Sequence, residues 1–131
     1  MILPTTLCLA AAAVVLNGWL GMRIGQLRHA LKVSVGDGGQ DLIMRRMRAQ
    51  ANFIEQAPLT LVLFAAVELA GKGGAWLAPL GAAFIVGRIA HALGMDSDTG
   101  FRAGRPIGML TSYAAQITLA VTAVLTVLGK A

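Results

Sequence analysis

Four long apolar stretches, separated by short polar or glycine-rich connections, account for nearly the whole chain. The first is the cleanest. Residues 2–22 carry no charge and have Asn17 as their one strongly polar member, a run long enough to cross a hydrocarbon core of about 30 Å as a helix. The other three are interrupted, the second by Glu55 and Glu68 and the third by Arg88, yet each is long enough to span once its polar ends are placed at an interface. The pattern predicts helices over residues 2–27, 42–69, 76–93 and 106–128 within a single domain, 1–131. Local signals agree. Gly36-Asp37-Gly38-Gly39 makes a turn, Asp41 reads as the N-cap of the second helix, Lys72-Gly73-Gly74 stops it, and Pro106 suits the first turn of the fourth. The glycines of the first turn lack the spacing and flanking lysine of a phosphate-binding loop.

Composition turns these helices into membrane spans. The 131 residues are 56% hydrophobic and 13% charged, with a mean hydropathy of +0.71, outside the usual soluble range. A soluble four-helix bundle is disfavoured, because the first and fourth helices have almost no polar face to turn toward water. No basic residue precedes the first run, so it reads as a retained helix and not a cleaved leader. The net charge of +5 does not point to nucleic acid, because the basic residues flank the apolar segments without interleaved aromatics. Cys8 excludes an internal disulfide and reads as packing; no metal is called for. Nine of the eleven Lys and Arg residues fall on the first and third connections and their helix ends, against Lys72 and Lys130 opposite. The positive-inside rule then predicts both termini outside and those two connections in the cytoplasm.

Candidate chemistry sits at that basic end. Arg48, Asn52 and Glu55 follow one another by four and three residues, which puts them on one helical face where the second apolar run begins. An acid buried there is expensive unless it is paired, wetted or used. Arg45 precedes this stripe, Arg88 and His91 share a face at the same end of the third helix, and Arg28 arrives from the first. Glu55 paired with Arg48 or Arg88 would serve packing alone, but the donors outnumber what one carboxylate needs. The surplus fits a small anion with carboxylates, whose ammonium group the acid receives.

The stretch Arg45-Arg46-Met47-Arg48-Ala49-Gln50-Ala51-Asn52-Phe53-Ile54-Glu55, followed by Pro58, resembles the second-helix motif of the MAPEG family, membrane-associated proteins in eicosanoid and glutathione metabolism. Gly25-Gln26-Leu27-Arg28 is similar to the end of that family's first helix, Val86-Gly87-Arg88-Ile89-Ala90-His91 to its third, and Pro106-Ile107 and Gln116 to its fourth. The Gly-Asp-Gly-Gly turn and residues 105–111 look most like the short bacterial branch, which implies a bacterial plasma membrane. The resemblance implies an all-α integral membrane protein, a four-helix bundle assembling as a homotrimer, with glutathione between subunits near the cytoplasmic side and a lipophilic substrate entering from the lipid. Arg28, Arg45, Arg48, Asn52, Glu55 and His91 would contact glutathione; Arg88 would either contact it or pair within the protein. The implied activity is glutathione-dependent transferase or peroxidase chemistry. The alternative is a non-catalytic membrane module that binds lipid or a glutathione-like anion and regulates a partner protein. Four helices without an internal repeat do not favour a transporter. Several positions depart from the family. Ala51 replaces a second arginine and Met95 an aromatic hydroxyl. Gly108 stands at the place of the arginine thought to activate the thiol, and Ser112 where an aromatic hydroxyl is expected, with Tyr113 displaced by one position. Arg105 is the remaining candidate for thiolate stabilisation and Ser112 a weaker hydroxyl donor.

Overall fold

A computed structural model describes residues 2–96 and 98–130, and among these the secondary structure is helical. It comprises α1 (Pro4–Leu31), α2 (Asp41–Leu69), α3 (Leu77–Met95) and α4 (Gly104–Val127). All four are long and apolar enough to cross a membrane, and the chain is a multi-pass membrane protein. Val14, Val15, Leu59, Val62, Ile117 and Val124 stand on the outside of the bundle, an arrangement that lipid tolerates and water does not.

The helix ends differ from the sequence reading in instructive ways. The first helix runs past residue 27 to Leu31 and closes on Lys32 in the left-handed conformation (φ 56°), whose N–H reaches the His29 carbonyl. Gln40, not Asp41, holds the N-cap position. Asp41 is instead the first helical residue, where its charge suits the helix dipole and accepts from Arg45 at 2.6 Å one turn on. Helix α2 ends at Leu69, and Gly71 (φ 69°) supplies the left-handed turn after it. At that end Glu68 accepts from the backbone N–H groups of Thr5 (3.0 Å) and Thr6 (2.9 Å) and from the Thr6 hydroxyl (2.8 Å). It thus caps the orphan donors of α1 from a neighbouring helix.

In cyclic order the bundle runs α1, α2, α4, α3, with α2 also touching α3; α1 and α4 do not meet. The closest contact is α3 with α4. Glycines permit it. A Cβ on Gly94 would lie 2.6 Å from the Arg105 backbone nitrogen, one on Gly104 would strike the Ala90 carbonyl, and one on Gly108 would strike Gly87 and His91. Helices in lipid gain no hydrophobic drive from each other, so close backbone approach through small residues carries the association. This packing also starts α4 two residues earlier than expected.

An ionic clasp ties the α3–α4 connection to the first two helices. Asp96 accepts from Arg23 of α1 and from Arg46 of α2 (3.2 Å), and Asp98 accepts both ends of the Arg45 guanidinium at 3.1 and 2.7 Å. These hydrogen bonds, with the nearby charges of Arg45, Arg102 and Arg105, hold the Asp98 carboxyl below its ordinary range. A carboxylate with a depressed folded pKa stabilises above its unfolded pKa and loses that contribution as pH falls through the folded value. A spin label at Ala103 should therefore keep constant mobility from neutral pH down to about pH 5 and loosen only below about pH 4. Asp98→Asn should reproduce the loosened spectrum at neutral pH. An Ala103 label that is equally mobile in wild type and variant would show that the clasp holds nothing.

Candidate functional site

Helix α2 presents its polar residues at slightly different angles. Four residues advance about 400° and seven about 700°, so Arg48 and Glu55 nearly align while Asn52 lies roughly 40° to one side. That offset turns Asn52 inward, where its side-chain oxygen accepts from Nη2 of Arg88. Arg88 is 2% exposed and also donates from Nη1 to the Ser112 hydroxyl at 3.2 Å. Ser112 in turn donates to the Gly108 carbonyl at 2.8 Å. One buried guanidinium therefore joins α2, α3 and α4 through neutral partners.

Above this hub lies an open pocket of about 650 Å³, lined by Arg48 and Asn52 of α2, His91 and Met95 of α3, and Arg105, Pro106 and Met109 of α4. Its size falls in the range of small-molecule sites. Its electrostatics are cationic, because Arg48 and Arg105 are exposed and neither is held by an ion pair with an acid among the described residues. Through Arg105 and Pro106 it adjoins a smaller hollow of about 390 Å³ under the α3–α4 connection. Arg88 Nε and His91 Nδ1 are buried without a hydrogen-bond partner among the described residues, which leaves unused donor and acceptor capacity directly behind the pocket wall.

Of the residues singled out from the sequence, Arg48, Asn52, His91 and Arg105 come together here, and Arg88 lies behind them. Arg28 does not reach the pocket within one chain. It donates to the Gly36 carbonyl at 3.0 Å and toward the Met47 sulfur at 3.4 Å, on the far side of α2 from α4. Arg45 is taken up by Asp41 and Asp98. Glu55 corrects the expectation of a buried carboxylate: it is exposed on the flank of the bundle, with no ion pair among the described residues. Its suggested partner Arg88 is served by Asn52 and Ser112. Ser112 corrects another expectation. It is 0% exposed, and its proton is committed to Gly108, so in this arrangement it offers no donor to a bound thiol. Sequence reasoning missed Pro106 and Met109 as pocket walls and the Asp96–Arg23–Arg46 bridge. The signal for the bridge was present, since Asp96 and Asp98 are the acids of a connection facing a surplus of arginines.

Deeper along α2, one and two turns past Asn52, the polar seam continues. Gln116 of α4 donates to the Gln56 side chain at 2.9 Å and to the Thr60 hydroxyl at 3.0 Å, close to Pro58. Bonds of this kind between helices satisfy groups that lipid cannot.

A family model described as MAPEG family matches residues 6–125 of the 131. No curated protein matches the chain.

Proposed function

Because the chain belongs to the MAPEG family, which includes glutathione transferases and peroxidases as well as non-catalytic members, we propose that the α2–α3–α4 pocket is the anion-binding half of a glutathione site. The observation that carries this reading is the pairing of a cationic pocket, Arg48 with Arg105, with an exposed and unpaired Glu55 two turns along α2 from Arg48. A peptide with two carboxylates and one ammonium matches that charge pattern, and a tripeptide fits the volume.

In the proposed arrangement Arg48 receives a carboxylate, Asn52 is fixed by Arg88 to present its amide, and Glu55 receives the ammonium. An acid left facing outward at membrane depth calls for a covering neighbour. A homotrimer supplies one, and it brings the Arg28 of the adjacent copy to the open side of the pocket. Glutathione supplies a thiol; Arg105 stabilises it as the thiolate and so lowers its pKa from near 8.5. The thiol proton passes to water. The thiolate pair then bonds to an electrophilic carbon of a lipophilic substrate, which expels its leaving group with the bonding pair, or to a peroxide oxygen, which breaks the O–O bond. The second course gives the alcohol and a glutathione sulfenic acid that a second glutathione reduces to the disulfide with release of water. The surplus of basic residues puts this end of the bundle in the cytoplasm and both termini outside.

A second reading has its own support. Gly108 offers no cation and the Ser112 hydroxyl is engaged, as a non-catalytic binding module would tolerate. The two separate cleanly. In the transferase or peroxidase reading, bound glutathione gives a thiolate ultraviolet band and conjugates a generic aromatic electrophile. Arg105→Ala then lowers turnover by about 100-fold while changing glutathione affinity several-fold or less. Glutathione bound without a thiolate band or turnover of either substrate class sinks catalysis and leaves the binding module.

A further inference from the structure

On the face of the bundle away from the pocket, α1 and α3 diverge and leave an apolar groove that no other helix covers. Near the basic end it is lined by Ala12, Val15, Leu16 and Trp19 of α1 and by Ile85 and Ile89 of α3, with a volume of about 440 Å³. It continues through Ala12 and Ile85 into a second hollow of about 500 Å³ that reaches Pro4. From Pro4 to Trp19 the track is about 22 Å long, more than one leaflet's share of the hydrocarbon core. Small side chains form its floor. Gly81 lies there, at a place where a Cβ would meet Leu9 and Phe64 at ordinary contact distance, 3.5–3.7 Å.

The end of this groove is not apolar. Trp19, which forms its wall, carries the Arg23 guanidinium 4.7 Å above its ring. Arg23 is 7% exposed; its Nη2 donates to Asp96, but its Nη1 is buried with no partner among the described residues. Arg46 uses the same carboxylate. Two guanidiniums share one acid, which leaves a net positive charge one helical turn beyond Trp19, with the unspent donor of Arg23 tucked behind that end of the track.

We propose that the α1–α3 groove is a seat for one anionic phospholipid of the surrounding membrane, with an acyl chain along Ala12, Leu16 and Ile85 and a phosphate oxygen accepting from Arg23. An unpaired buried donor is costly, and at headgroup depth the abundant acceptors are lipid oxygens. Trp19 fits the same role, since an indole at the interface joins an apolar track to a polar head. A helix from a second copy of the chain would cover the apolar track but leave the charge at Arg23 unanswered. A zwitterionic lipid would fill the track but answer that charge less fully.

The test uses full-length protein in nanodiscs containing equal phosphatidylglycerol and phosphatidylcholine with identical chains, followed by native mass spectrometry of the lipid it retains. Wild type should keep phosphatidylglycerol over phosphatidylcholine by about fivefold: both phosphates can accept from Arg23, but the choline ammonium offsets the guanidinium's attraction, and one basic residue's preference for an anionic lipid is of that size. Arg23→Gln should bring that ratio close to one. Ala12→Trp, which fills the track and leaves the ion pairs intact, should lose retained lipid of both kinds. Equal retention of the two lipids by wild type overturns the proposal, as does an Ala12→Trp protein that retains phosphatidylglycerol like wild type. A loss of oligomer mass in Ala12→Trp also overturns it, by assigning the groove to another copy. Should Arg23→Gln fail to fold, the wild-type ratio and Ala12→Trp decide together.

Discussion

Gly108→Arg is expected to cost the protein its fold and not to gain it an activity. Arginine is the residue that the family resemblance leads one to look for near this position, so the substitution is a natural attempt at repair. The backbone forbids it. The α carbon of Gly108 lies against the Gly87 carbonyl and the His91 side chain, and even a methyl group would overlap both. Helices α3 and α4 would have to separate along their tightest contact, and overpacking of this kind costs about 1–3 kcal/mol where neighbours can yield. Backbone cannot yield as a side chain does, so the loss should reach or exceed the upper figure and should free the Ser112–Gly108 bond as well. Thermal unfolding in detergent measures it. Gly18→Ala is the control, since nothing lies within 4 Å of the position a Cβ would take; there helix propensity alone predicts a gain of about 0.5–1 kcal/mol. A Gly108→Arg protein as stable as wild type would show that α3 and α4 have room that the packing denies.

Glu55→Gln and Arg48→Ala carry the second large effect. Each removes one charged partner of the proposed ligand, and a hydrogen bond to a charged group is worth about 1.5–3 kcal/mol, so each should weaken glutathione binding by about 10–100-fold. Folding should hardly change, because both residues are exposed and neither is held by an ion pair among the described residues. Arg45→Ala makes the contrast. Its guanidinium is already spent on Asp41 and Asp98, so its removal should loosen the α3–α4 connection and reduce affinity less than either of the other two. Calorimetry with glutathione in detergent reads all three. If Glu55→Gln bound as tightly as wild type, the ammonium contact and the site built on it would fall.

The parts of this fold that were legible in the sequence are those that depend on one segment at a time. An uncharged run from residue 2 to 22 can only be a span, and glycines after Leu69 can only be a stop. The basic cluster at one end of the bundle was likewise visible, because its members crowd helix ends. What escaped depends on facing partners. Glu55 looked buried because its sequence neighbours are apolar, yet the side of α2 it occupies faces outward and Asn52, about 60° away, takes the inward role. Gly108 looked like a missing cation, and only the approach of α3 makes it a packing requirement. Asp96 looked like a turn residue, and only the arrival of Arg23 and Arg46 from two other helices makes it a bridge.

The contact of Glu68 with Thr5 and Thr6 bears on how the chain enters the membrane. Its donors stand at the beginning of α1 and its acceptor at the end of α2, so the bond forms only after both helices have crossed and their far ends lie on the same side. Withdrawing either helix would first expose a carboxylate and orphan amides to lipid. The first two spans thus form a hairpin latched at its open end by a contact that needs neither α3 nor α4.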